Sequence, residues 1–537
     1  MVLKNLTAMG VILAGVSLFS TAFAADATQG DIDALKKQIK ALERKLNNVQ
    51  AVQNKEIKEV KAKQEAVEVS FENGRPIIRT GDGNNEMAFR GRMHFDMATY
   101  RQNDTDGLPS IAPGRDLNEG GNFRRSEISI EGKFMRDFEY LATYDFGGSG
   151  NEGSGGIKNM FLGYTGIKPL RIQIGAIQVP MTMDDSTSSN EISFIERATA
   201  ANLATSFGAQ KGRTAVGARG ATSNIFGSLY YTRDPVVLGT NTALTGATFD
   251  ESSNLVGRAA YLYAPNPDTN IHFGASGTKV FHFSQAAAAI PGVAQTRPTF
   301  DLRDRPELRV DGARLISTGA IPVEDGLVFG PEFGANWKNF YIQGEYYRYQ
   351  LERASNIAPI AAVAASATAS GTSAVPAGAG AADFDFAGWY VQGSWILTGE
   401  TKRYDIKNAS FGAPRPNGPL GFGDSFGAVE LAVRYSSVDL NDGDSSATCD
   451  QVTGAGAPPV ATVYSSCIRG GEQNILTLGL NWYPNRNVRF MLNYLFVDVD
   501  RQAYTNNAPG TGGVAGGPNA QLGQNLDSLA LRSQFNF

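Results

Sequence analysis

The sequence predicts an all-β transmembrane barrel of about 16 antiparallel strands, preceded by an N-terminal α-helical coiled coil. Three observations carry that prediction. From Glu86 to Phe537 apolar and polar side chains alternate with a period of two, the connections between the alternating segments are short and long in turn, and the chain before Glu86 has a helical period instead. Lys and Arg number 48 against 53 Asp and Glu, a formal charge of −5, which gives no basis for binding nucleic acid. Beyond the N-terminus no run reaches the roughly 20 apolar residues of a spanning helix, so any membrane crossing falls to strands.

Residues 1–24 read as a secretory signal: Lys4 precedes the apolar run Val11 to Phe19, and Ala22 and Ala24 are the small residues that a signal peptidase recognises. Residues 25–70 read as a periplasmic coiled coil. Ile32, Leu35, Ile39, Leu42, Leu46 and Val49 step by three and four between charged residues, as a heptad seam requires, and Ile57 falls one position late, where a four-residue stutter puts it. An amphipathic helix lying on its own protein is the competing reading. The polarity of the other helix faces favours the intersubunit seam. Residues 71–85, with Asn73, Gly74 and Gly81 to Asn85, read as a linker, and residues 86–537 as the barrel.

In the first strand Phe89, Met93, Phe95 and Met97 alternate with Arg90, Arg92, His94 and Asp96. The pattern recurs with Ile128, Ile130 and Phe134 against Glu127, Ser129, Glu131 and Lys133, and again with Val488, Phe490, Leu492 and Tyr494 against Arg489 and Asn493. Short turns fall near Met135, Gly166, Ser223, Pro265, Lys338 and Pro484, and long polar loops near Gly107, Gly153, Gly239, Ala288, Ala367, Gly454 and Gly512. Short periplasmic turns and long outer loops are the mark of a membrane barrel, and an even strand count follows if Leu308 to Val310 is a loop. One connection breaks the rule, because Gly399 to Asp424 should be short and is long. The final strand, Asn525 to Phe537, ends on an aromatic residue, where an outer-membrane assembly signal would sit.

The central stretch from Leu170 begins as a clean alternation, which Pro180 ends. The polar segment that follows, about 178–210, is expected to fold inward and constrict the lumen, with Asp184, Asp185, Glu191 and Glu196 against Arg197. Phe194 and Ile195 should pack on the wall and turn one of the neighbours Glu196 and Arg197 toward the ion path. Cys449 and Cys467 lie in a Gly, Ser and Pro-rich stretch and fit a loop-closing disulfide, stabilising by about 3 kcal/mol in the chain-entropy model.

Three segments, FRRSEISIEGKFMRDFEYLATYDF, SSNEISFIERA after the strand carrying QIGAIQVP, and GWYVQGSWILTGETKRY, together resemble the phosphate-selective porin O and P family. The resemblance spans about Phe89 to Phe537. It implies a homotrimeric outer-membrane channel in contact with lipid, with the third loop in the pore, that takes up small anions such as phosphate down their gradient. Phosphate-selective members cluster basic residues around the pore, whereas inward Lys are few here, chiefly Lys133 and Lys158. A related dicarboxylate-porin group, also with an N-terminal coiled coil, is the alternative for the solute, as is general diffusion.

Inward parity, taken strand by strand, selects Arg90, Arg92, Arg125, Arg171, Arg213, Arg219, Arg258, Arg434, Arg489 and Arg532. Lines of Arg suit an anion pore, since each guanidinium stays charged and offers several donors to an oxyanion. If the last strand pairs with the first, Arg489 lies near the periplasmic rim, Arg532 above it, Arg90 and Arg92 on the closing strand and Arg125 near the outer rim. The competing reading pairs these arginines with Asp96, Glu127, Glu131, Glu139 and Glu430, which stiffens a wall without selecting ions. No cofactor or metal is expected: His94, His272 and His282 form no ligand spacing, and Gly510 to Gly517 lacks the Lys and hydroxyl of a phosphate-binding loop. An outer-membrane hydrolase, built on His94, Asp96 and Ser129, is the competing class of function, with a tether or secretion pore as a third.

Overall fold

The computed structural model describes residues 29–72, 74–102, 117–148, 155–236, 251–284, 298–319, 321–353, 383–421, 423, 425–443, 468–501 and 523–537. The segment expected as a signal, and both Cys449 and Cys467, lie outside the described residues.

Helix α1, Gln29–Glu65, is a single 37-residue element. Its stripe of Ile32, Leu35, Ile39, Leu42, Leu46 and Val49 is exposed along its whole length. The helix stops earlier than the heptad spacing predicted. Val67 and Val69 belong to an extended segment, Val67–Glu72, because β-branched residues alternating with Glu68 and Ser70 satisfy a strand better than a helix. That segment pairs with Arg75–Thr80, so the expected linker contains a hairpin, turned at Gly74 with φ +80°. The hairpin's second strand continues into the barrel sheet through Ile77↔Ala88 and Arg79↔Glu86.

Sixteen antiparallel strands form the barrel. They are β1 Glu86–Gln102, β2 Gly120–Phe134, β3 Phe138–Asp145, β4 Gly156–Tyr164, β5 Leu170–Ile177, β6 Arg213–Ala221, β7 Ile225–Pro235 and β8 Ser253–Asn266. The second half comprises β9 Thr269–His282, β10 Ile321–Trp337, β11 Phe340–Arg353, β12 Phe384–Ile396, β13 Ala428–Asp442, β14 Ile468–Tyr483, β15 Val488–Asp500 and β16 Asn525–Asn536. Strand β16 pairs with β1 from Leu526↔Gln102 to Asn536↔Arg92, which closes the sheet and leaves the barrel no free edge. Leu308 to Val310 is loop, as the even count required.

The outward face is apolar row by row. Leu492, Leu531 and Met97 are partners on three successive strands, and all three are exposed. Aromatic rings gird the end that carries the short turns: Trp337 stacks on Phe340 at 6.2 Å, Phe340 on Trp395 at 5.8 Å and Phe426 on Trp482 at 5.0 Å. Such girdles mark the two membrane interfaces of a barrel in lipid.

The lumen is filled from both ends. The connection between β5 and β6 carries the short helices α2, Met183–Ser186, and α3, Thr199–Ser206, both largely buried. Residues 298–319 fold against it, and Thr199 donates its backbone N–H to Glu307 Oε1 at 2.9 Å. From the turn end, the long connection between β12 and β13 enters as a hairpin, Lys402–Asp405 paired with Ser410–Pro414. Its Phe411 packs on Tyr341 with ring centroids 5.2 Å apart and clusters with Met183. This explains why one turn-end connection is long in sequence.

Candidate functional site

Most inward arginines are engaged with carboxylates or loop carbonyls. On β16, Arg532 Nε lies 2.6 Å from Asp96 Oδ1 on β1, and its Nη2 lies 2.9 Å from Glu196 Oε1 in the central loop. Glu196 also accepts from Arg124 Nε at 2.6 Å and sits 3.4 Å from Arg309. Burial pushes the Glu196 carboxyl up, but Arg124, Arg532 and Arg309 outweigh it and hold it well below the usual carboxylate range. Arg434 bonds Glu307, donates to the Glu196 carbonyl at 2.9 Å and lies 4.5 Å over the Phe194 ring. Arg489 donates to the Ile192 carbonyl at 2.6 Å and covers the Tyr483 ring at 4.6 Å.

On the remaining strands, Arg258 donates to Glu332 at 2.9 Å, to Ser186 Oγ at 3.0 Å and to the Asn408 carbonyl at 2.9 Å. One guanidinium thus ties the wall to both inserted segments. Arg213 reaches Ser252 Oγ at 3.1 Å and Asp234 at 3.7 Å. Arg171 bonds Glu139 and stands directly across from Arg219, which donates to Asn408 Oδ1 at 2.9 Å. Arg90 pairs with Glu131 at 2.6 Å. Arg92 and Arg125 each lie 3.3 Å from Glu127. Arg125 is the partner of His94, at the middle of β1, and not at the outer rim where parity and strand direction placed it.

A bulge between His94 and Phe95 turns both Arg124 and Arg125 inward. Strict alternation had excluded Arg124 from the lumen. The signal was present: two adjacent Arg in a spanning strand put one of them in lipid, at about 2–4 kcal/mol near the midplane, unless a bulge intervenes.

In the central loop Phe194 and Ile195 are buried against the wall, each 1% exposed. The pair that follows them separates. Glu196 turns to the wall arginines, whereas Arg197 turns back on its own loop, donating to the carbonyls of Asp184 at 3.1 Å and Thr187 at 2.8 Å, with Asp185 at 3.4 Å. Asp184 accepts from the Ala198 N–H at 3.2 Å, and burial pushes its carboxyl up. Burial, followed by the nearby Asp405, raises Glu191.

Two adjoining cavities, of about 510 and 580 Å³, remain open and share Arg90, Arg92 and Lys158 in their linings. The first is lined by Arg75, Arg90, Arg92, Lys158, Arg415, Arg486 and Arg489 against Glu72, Glu127 and Glu191. The second is lined by Arg90, Arg92, Lys133, Lys158, Arg171, Arg197 and Arg219 against Glu86, Glu131, Glu139 and Asp185. Basic side chains therefore exceed carboxylates in both, in a chain whose formal charge is −5. Arg125, Arg213, Arg258, Arg434, Arg532, Asp184 and Glu196 line neither cavity. The contributions of Arg75, Arg415 and Arg486 were invisible to strand parity because they lie in the hairpin and turns.

The residues weighed for a hydrolase are committed elsewhere. His94 Nε2 meets Asn190 Oδ1 at 2.9 Å, Asp96 holds Arg532, and Ser129 bonds Thr143 at 2.8 Å.

A protein of Caulobacter vibrioides is 25% identical over 427 residues, covering 79% of this chain and 71% of the relative. Porin O of Pseudomonas aeruginosa is 22% identical over 395 residues, covering 72% of this chain and 78% of the relative. Among solved structures, an anion-selective porin from Comamonas acidovorans aligns with a TM-score of 0.43 and 12% identity, covering 84% of this chain and all of that one. Residues 88–536 match the family described as phosphate-selective porin O and P, and the chain belongs to that family of outer-membrane channels.

Proposed function

We propose that this protein is a passive diffusion porin that prefers small oxyanions such as phosphate and passes them into the periplasm. The observation that carries this reading is the excess of basic side chains around both open cavities, against the acidic balance of the whole chain. Charges on outer surfaces are screened within roughly 8–10 Å, so the lining decides which ions enter. Reversal potentials across a planar bilayer in a KCl gradient, with phosphate as competitor, test it: anion preference with phosphate block is expected, and cation preference would exclude it. The pairing of Arg92, Arg125, Arg258 and Arg532 with carboxylates favours a second reading, a general-diffusion or dicarboxylate porin. An ohmic current indifferent to phosphate would decide for that alternative.

A homotrimer is part of the proposal. Strands β3, β4 and β5 have 8, 9 and 8 residues. At about 3.3 Å per residue and a tilt of about 40° they rise only roughly 20–23 Å, below the ~25 Å apolar band, so this side of the wall needs protein beside it. Met160, Leu162 and Ile174 are exposed there. Helix α1, with its exposed heptad stripe, supplies a second contact between copies in the periplasm.

A further inference from the structure

We infer that Glu127 is a tethered resident anion: its carboxylate occupies an oxyanion site in the lumen, and permeant oxyanions pass by competing with it. This rests on the proposed anion pathway. One oxygen, Oε1, lies 3.0 Å from Lys158 Nζ and 3.3 Å from Arg125 Nη1, while Oε2 lies 3.3 Å from Arg92 Nη1. Among the described residues these three cations have no other carboxylate within 4.0 Å, so the group keeps an excess of positive charge. The buried Nε of Arg92 and of Arg125 have no hydrogen-bond partner among the described residues. Hydroxyls complete the setting: Arg92 donates to Ser189 Oγ at 2.7 Å and to Ser188 Oγ at 3.3 Å.

A second carboxylate held by three cations provides the contrast. Glu196, with Arg124, Arg309 and Arg532, lines neither cavity, and its bonds join the loop to the wall. Glu127, Arg92 and Lys158 all line the first cavity, so their group opens on the route that a solute takes. Three cations around an empty centre would hold a doubly charged oxyanion tightly and release it slowly, whereas conduction needs binding weak enough to allow exit. A fixed carboxylate lowers that affinity and keeps the site exchanging.

The test uses the full-length protein in planar bilayers with a KCl gradient and added inorganic phosphate. Glu127→Gln should shift the reversal potential further toward chloride and let phosphate block at a concentration about tenfold lower, since one opposing charge is removed at contact distance. Glu127→Asp, which keeps the charge, should stay nearer to the wild type than Glu127→Gln in both quantities. If the wild type prefers anions and Glu127→Gln changes neither quantity, the inference is overturned while the anion porin stands. A cation-selective wild type overturns both. Should Glu127→Gln fail to give a folded barrel, Lys158→Gln is recorded instead: weaker phosphate block and a shift toward cations support the inference, and unchanged values overturn it.

Discussion

Arg532 on the last strand lies directly opposite Asp96 on the first, and its guanidinium holds both carboxylate oxygens of Asp96 at 2.6 Å. The join that closes the barrel is therefore a bidentate ion pair buried in the lumen. Replacing Arg532 with Met leaves Asp96 without its cation, and breaking a buried pair from one side costs about 3–5 kcal/mol. Urea unfolding in detergent should show that loss. A smaller change, on the order of 1 kcal/mol or less, would mean that the pair is solvated.

The lipid-facing row makes a second prediction. Leu492 is partnered by Leu531, which is partnered by Met97. Leu492→Arg should destabilise the barrel by about 2–4 kcal/mol if this row sits at the midplane, falling to about 0–1 kcal/mol near an interface. Equilibrium folding into lipid vesicles measures it.

Acidification gives a third. Burial and then Asp405 raise the Glu191 carboxyl, so it takes up a proton at a higher pH than an ordinary glutamate. Glu191 lines the first cavity, and its protonation removes a negative charge from the lining. Anion preference should therefore rise as the pH falls from neutral into the carboxylate range, beginning above the pH at which an ordinary glutamate takes up a proton. Reversal potentials recorded across that range should show the rise, and Glu191→Gln should carry the acid-form preference already at neutral pH and lose the dependence.

Helix α1 yields the fourth. A peptide of Gln29–Glu65 should sediment as a trimer through its exposed Ile and Leu stripe. A peptide that stays monomeric at high concentration would leave α1 as a single helix.

Much of the barrel was legible because a half-buried strand in lipid has one possible alternation, and its short turns identify the opposite end from its long loops. The lumen was harder to read. Parity says which way Arg92 or Arg489 points, but whether a cation meets a carboxylate depends on loops that parity does not govern. Glu196 illustrates this: the sequence showed it beside Arg197, and its partners proved to be Arg124, Arg309 and Arg532, from 72 residues upstream to 336 downstream. The inserted hairpin at Lys402–Pro414 was visible only as an overlong turn, since its inward course depends on Arg258 and Tyr341, far away in sequence.

The closing pair also constrains how the chain reaches its final form. Arg532 bridges Asp96, 436 residues earlier, and at the same time the loop residue Glu196. Contacts so remote in sequence form late, and topologies dominated by them fold slowly. One guanidinium therefore completes the wall and fastens the central loop to it. Without that cation Asp96 and Glu196 would both lose their shared partner, so one side chain of the closing strand latches a loop made from the middle of the polypeptide.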